Sequence, residues 1–397
     1  MLRYRHIIGS ILLVAGTSIG GGMLALPILT SLGGFFPSII IYLLTWVFMA
    51  ATGLLYLEMC IWMDKETNLV TLAQKTLGQF GYIFTWLVYL FFFYCLTVAY
   101  VVGTQNFLNF FLDQSLNRWL SSAIFAFIFV PIIYLGARAV ENINALFMFG
   151  LILTYVLFVV LGVPHIRFER LLESNYKYSL VAFPVIFTAF GYQGIVPSLT
   201  FYLKKNVNAI RWTILIGSFI PFIMYIFWEG LVLGMIPKSY LEEALALGEN
   251  AIYPFQAFLG KSKITTMGQF FAFFALASSL LGVSLGLRDF LADGLKIKKD
   301  QRGRGILCAL IFIPPILISI YFPNIFLTAL GLAGGIGSAL ILGLLPILMV
   351  WSKRYVKKIK HGGYQMKGGK IYLILLGLFA IFEITFVAFY SFGWIKL

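Results

Sequence analysis

The sequence predicts an all-α integral membrane protein of eleven transmembrane helices, two halves of five with one helix appended. Three observations carry that prediction. Of the 397 residues, 61% are hydrophobic and only 11% charged, about half the charge of a soluble domain. Apolar runs long enough to cross a hydrocarbon core of about 30 Å recur from end to end. Two of them, the first and the sixth, are interrupted by glycine and proline in matching places.

The runs, in order, are Ile7–Leu32, Phe36–Trp62, Tyr82–Leu112, Trp119–Leu135, Ile143–Val163, Ser179–Tyr202, Ile210–Ile236, Ile264–Leu291, Gly305–Phe322, Ile325–Trp351 and Ile371–Trp394. A bilayer offers no partner to an open sheet edge, so each is expected to be a helix. Met1–His6 ahead of an apolar run mimics a secretory signal. The run is too long for one and a second follows at once, so it reads as an uncleaved first helix. The longest intervening segment, near Pro237–Lys263, is too short for a soluble domain. Residues 1–397 therefore read as one transmembrane domain: a first repeat over about 7–163, a second over about 179–351, and the appended helix over about 371–394.

The net charge of +14 is topological. With the N-terminus inside, the inside segments hold 21 of the 29 basic residues and the outside segments 8. That is the positive-inside bias, and it predicts a cytoplasmic N-terminus and a periplasmic C-terminus. Lipid, not nucleic acid, is the partner this composition fits. Cys60, Cys95 and Cys308 lie singly in three spans, and His6, His165 and His361 lie in flanks or loops. No metal spacing or histidine-based triad results. No cofactor is expected, and a membrane-embedded enzyme is disfavoured. A channel is disfavoured too, since no helix carries a repeated polar stripe.

The two interrupted spans carry the functional reading. The first contains Gly16-Thr17-Ser18-Ile19-Gly20-Gly21-Gly22 and then Pro27; the sixth contains Phe190-Gly191-Tyr192-Gln193-Gly194 and then Pro197. Gly and Pro both favour local unwinding. Unwound backbone at membrane depth is tolerated where it lines a polar cavity or is buried in protein. Glycine also permits close helix packing, which accounts for Gly331, Gly334, Gly335 and Ser338 in the tenth span. Interruptions at corresponding positions of two five-helix halves are the sequence pointer to an inverted-repeat transporter. Each break exposes N–H groups to a carboxylate and carbonyls to a cation. A zwitterionic α-amino acid matches that pair.

The run Val14-Ala15-Gly16-Thr17-Ser18-Ile19-Gly20-Gly21-Gly22-Met23-Leu24-Ala25-Leu26-Pro27 resembles the first helix of the bacterial hydroxy/aromatic amino acid permeases. The stretches Phe183–Phe187 and Phe190–Gly194, Ala277–Val283, Gly286-Leu287 and Asp289–Asp293, and Gly363-Tyr364 with Lys367–Lys370 agree as well. The likeness spans the chain and is closest to the tyrosine-specific branch. It implies the leucine-transporter fold, alternating access, and proton-driven uptake of an aromatic amino acid across a bacterial inner membrane. Several family members carry His where this chain has Gln193.

On that fold, Gly20, Gly21 and Gly22 are expected to offer N–H groups to the substrate carboxylate. Carbonyls near Ala15, Gly16 and Phe187 are expected to face its ammonium, with Thr17 and Phe190 in the same two breaks. Tyr192 and Gln193, with Tyr94 and Thr97 one turn apart on the third helix, are candidates to line the ring slot. Tyr94 reads equally as packing in so aromatic a chain. Ala275, Ser279, Gly282 and Gly286 form a small-residue face, either a packing seam or a surface that turns Ser278 and Ser279 toward the first break. For the driving ion, two readings stand. Protons need a titrating group within the repeats, Glu58 or Glu229; sodium needs oxygen ligands, Ser278 and Ser279. Glu383 lies in the appended helix, and Arg288, Asp289 and Asp293 read as a gate or latch.

Overall fold

The computed structural model of the chain describes residues 4–63, 68–111, 117–358 and 363–391. Arg3, Lys65, Leu112, Lys360, His361, Trp394 and Lys396, on which parts of the reading above fall, lie outside the described residues. Among the described residues ten helices are long and apolar enough to cross a membrane, and a bent pair supplies an eleventh span. Among the described residues the only extended pairing is an isolated bridge between Gly34 and Ser174. The chain is an all-α integral membrane protein.

The first span is the pair Tyr4–Ser18 and Gly21–Thr30, bent by 51°. Phe35–Trp62, Leu69–Phe111, Arg118–Leu135 and Ala137–Gly162 follow. The sixth span, Tyr176–Tyr202, is interrupted, and then come Val207–Met235, Lys263–Gly294, Gln301–Tyr321, Phe326–Val356 and Gly369–Ser391. The third helix starts thirteen residues before the predicted Tyr82. Its leading segment buries Leu69, Leu72, Ala73 and Thr76, an i, i+3, i+4, i+7 stripe that hydropathy averages away. Gly78, at φ 76°, turns that segment into the main helix, a left-handed conformation that favours glycine.

Side chains facing outward are apolar: Phe80 is 77% and Phe127 83% exposed. Such contiguous apolar surface belongs in lipid. Inside, the tenth span carries a π-helical stretch, Ala333–Leu344. There Gly334 lies against the Pro184 carbonyl, Gly335 against Val387 and Gly337 against the Phe92 ring, so glycine lets three neighbouring helices approach. Gly331, read as part of that face, has open space around it.

The packing has a regular pattern. The first half-helix packs on the seventh span, and the second span packs on the sixth as well as the seventh. The eighth packs on the fifth and on the third, while the third also packs on the tenth. Exchanging each span with the one five places along turns the first–seventh contact into the sixth–second, and the fifth–eighth into the tenth–third.

Candidate functional site

The two breaks meet. Gly21–Thr30 packs against Phe183–Ala189, the first half of the sixth span. Helix Tyr4–Ser18 stops where Gly20 becomes extended, and Phe183–Ala189 stops before Gly191, with helix resuming as a short 3-10 turn at Gln193–Ile195 and then Val196–Tyr202. A helix end leaves its last carbonyls and first N–H groups without partners of their own. Here the N–H groups are those of Gly21 and Gly22, since the Met23 N–H donates to the Gly20 carbonyl at 3.1 Å. The carbonyls are those of Ser18 and Ala189, and both lie against one group, the Tyr225 hydroxyl, at 2.6 and 2.7 Å.

The glycines follow from close approach. A β-carbon at Gly22 would stand 3.0 Å from the Ala189 backbone, and one at Gly21 would stand 2.5 Å from the Tyr100 ring. One at Gly20 would overlap the Ser279 hydroxyl. Bulkier residues here would push apart protein surfaces whether or not substrate is bound. A bulky substitution in this run therefore says little about the substrate by itself.

The structure gathers Gly20, Gly21, Gly22, Ser279 and Phe190 around the breaks, together with Tyr100 and Tyr225. It distributes the other predicted residues elsewhere. The Ala15 carbonyl already accepts from the Ile19 N–H at 3.1 Å, so the open carbonyl of the first half-helix lies three residues further on. Gly16 faces Met148 of the fifth span, and Thr17 turns its hydroxyl back to its own helix at Leu13 and Val14. Phe187 lies among Phe48, Phe183 and Phe379, toward the appended helix. Tyr94 donates to the Leu310 carbonyl of the ninth span at 2.8 Å, and Thr97 to Phe93 of its own helix. Tyr192 and Gln193 tie the sixth-span break to the second span. Both donate to the Met49 carbonyl, and Gln193 also donates to Thr52 at 3.1 Å. The Gln193 amide oxygen accepts from the Tyr192 N–H, which leaves that buried amide satisfied at both ends.

The two carboxylates of the repeats differ in surroundings. Glu58 is held bidentately by Arg354, receives the Met366 N–H at 3.0 Å, and has Lys353 at 3.9 Å. Glu229 is fully buried among neutral groups, where the Thr30 and Tyr42 hydroxyls donate to it. Both lie inside the bundle: Glu58 is 1% and Glu229 0% exposed. Ser278 returns its hydroxyl to Ala275 of its own helix at 3.1 Å, so of the serine pair only Ser279 meets the break. Arg288 is buried and donates to the Ile133 carbonyl, while Asp289 bridges it to Lys299.

Tyr225 and Trp228, which sequence reasoning missed, sit with the predicted Glu229 on one face of the seventh span. Tyr225 reaches Ser18, Trp228 donates to the Met23 carbonyl at 2.9 Å, and Glu229 receives Thr30. Three polar tips at i, i+3 and i+4 on an apolar helix form a legible face. Among 21 tyrosines and eight tryptophans that signal is faint.

A multi-pass helical chain with two interrupted spans in mutual contact has the build of a membrane transport protein rather than an enzyme. The comparisons agree, and the chain belongs to the tryptophan/tyrosine permease family, which matches residues 3–387. It is similar to tyrosine-specific transport system 1 of Haemophilus influenzae, at 34% identity over 93% of each chain. It is also similar to the tryptophan-specific transport protein of Pseudomonas aeruginosa, at 30% over 96% of this chain and 93% of the relative. The low affinity tryptophan permease of Escherichia coli matches at 28% over 94% and 92%. The chain is an aromatic amino acid permease of a bacterial family.

Proposed function

We propose that this chain imports L-tyrosine by proton symport, through alternating access of a five-plus-five inverted repeat, with its N-terminus in the cytoplasm and its C-terminus in the periplasm. The observation that carries the reading is the meeting of the two breaks. Ser18 and Ala189 carbonyls stand on one side as acceptors for an ammonium, and the N–H groups of Gly21 and Gly22 stand on the other as donors to a carboxylate. Phe190 and Tyr100 supply aromatic surface beside them. The exchange symmetry of the span contacts supports the repeat. The tyrosine-specific relative supports tyrosine, and the tryptophan-specific ones make L-tryptophan the second reading. Glu229 supports protons, because it is a buried acid of the repeats held by hydroxyls, whereas Glu58 is locked to arginine. Sodium has weaker support, since Ser278 spends its hydroxyl on its own helix.

The test is uptake of radiolabelled tyrosine into proteoliposomes under an inward proton gradient without sodium, with analogues as competitors. Tyrosine is expected to accumulate, and unlabelled tyrosine to outcompete tryptophan. Neither tyramine, which lacks the carboxylate, nor 3-(4-hydroxyphenyl)propanoate, which lacks the ammonium, is expected to compete. Accumulation that requires sodium would sink proton coupling. Equal competition by either analogue would remove the zwitterion from the breaks.

A further inference from the structure

The Tyr225 hydroxyl lies within hydrogen-bond reach of two carbonyl oxygens, Ser18 at 2.6 Å and Ala189 at 2.7 Å. A phenol carries one proton and can donate to one acceptor at a time. The two carbonyls belong to different broken spans, and both end a half-helix, where partial negative charge gathers. Tyr225 itself is fully buried. Its ring stands edge-on to Phe190 at 5.1 Å and to Tyr42 at 6.4 Å, which fixes where the hydroxyl can reach. The acceptors therefore outnumber the donor where the Tyr225 hydroxyl joins the two breaks.

We propose that Tyr225 is a positioning residue that stands in for the substrate's ammonium while the carrier is empty. The proposal rests on the reading that the ammonium meets the carbonyls of the breaks. An ammonium has three N–H donors and a full charge, so it satisfies both carbonyls at once where the phenol satisfies one. Substrate displaces the hydroxyl with a net gain. When substrate leaves, the hydroxyl returns, and the two breaks are not left with buried, unpartnered carbonyls. The unloaded carrier thus has a closed state of its own and can reorient without substrate, which net uptake requires and exchange does not.

The experiment compares the two modes in proteoliposomes, using L-tyrosine, or L-tryptophan if the wild-type protein carries that instead. Tyr225→Phe removes the hydroxyl and keeps the ring. The variant is expected to lose at least about fivefold more of its net uptake than of its exchange, relative to wild type. Its KM for exchange is expected to fall, since no internal donor must be displaced. Tyr225→Met, which keeps much of the bulk without the hydroxyl, must show the same split. Equal loss of both modes at matched insertion would mark a structural role and overturn the proposal. Unchanged net uptake, or a raised KM, would overturn it too. Failure of the underlying reading looks different: the des-amino analogue then competes with tyrosine on the wild-type carrier. A loss of the split with that discrimination intact removes the stand-in alone.

Discussion

Tyr42 donates a 2.8 Å hydrogen bond to Glu229, joining the second span to the seventh at a point with no access to solvent. Thr30, at the end of the second half-helix of span one, donates to the other carboxylate oxygen. One acid thus connects three spans, one of them a broken one. A carboxylate accepts from both hydroxyls more strongly than a neutral acid does, which is the basis of the proton coupling proposed above.

The first prediction follows. Glu229→Gln keeps the shape and an acceptor for one hydroxyl but cannot carry a proton. It is expected to abolish accumulation against a gradient while exchange remains within about threefold of wild type. Tyr42→Phe is expected to weaken accumulation without abolishing it. Both are read in the same proteoliposomes, and full accumulation by Glu229→Gln would assign the proton elsewhere.

Glu58 and Arg354 make a second prediction. Their bidentate contact ties the second span to the end of the tenth, and the Met366 N–H closes it from the following loop. Removing one partner of a buried pair costs about 3–5 kcal/mol where the other charge is left alone. Lys353 still faces Glu58 in Arg354→Met, so Lys353→Met/Arg354→Met is expected to lower the melting temperature in detergent more than Glu58→Gln/Lys353→Met/Arg354→Met does. If Glu58 were a coupling group instead, Glu58→Gln would uncouple accumulation and leave the melting temperature unchanged.

The third concerns pH. Glu249 lies in the segment between spans seven and eight, outside the membrane-spanning helices. Burial pushes its carboxyl above the ordinary value of 4.5, while hydrogen bonds from Asn106 and from the Asn250 backbone pull the other way. A folded-state value raised in this way contributes stability that is complete below 4.5 and is lost as pH rises through the folded value. Glu249→Gln can keep its acceptor for Asn106 without that loss. Its melting temperature is expected to vary less with pH above 4.5 than that of the wild type and to lie higher at neutral pH. A melting curve with unaltered pH dependence would assign no such linkage to Glu249.

Orientation is the fourth. A reporter active only in the cytoplasm is expected to be active when fused after Lys360 and silent when fused after Leu397. The reverse would invert the topology drawn from the basic residues.

Hydropathy and the spacing of Gly and Pro located every span and both interruptions, because these are properties of a local stretch. An apolar run must become a helix in lipid wherever its neighbours lie, and the helix is interrupted at Ile19-Gly20 and at Phe190–Tyr192, inside the glycine-containing stretches that favour a break. The leading turns of the third helix escaped because Gln74 and Lys75 lower the local hydropathy, although the buried stripe Leu69, Leu72, Ala73 and Thr76 was there to be read.

What the sequence determined by itself is the class of protein, the number of spans and the place where two of them break. Only the tertiary structure decided which groups meet there. Ser18 and Tyr225 are 207 residues apart, and Thr30 and Glu229 are 199 apart. Nothing local distinguishes Tyr225, which clasps the breaks, from Tyr94, which turns to Leu310. A polar tip in an apolar core takes whichever acceptor the packing of neighbouring helices brings within about 3 Å. That partner is a property of the whole bundle, and no window of residues contains it.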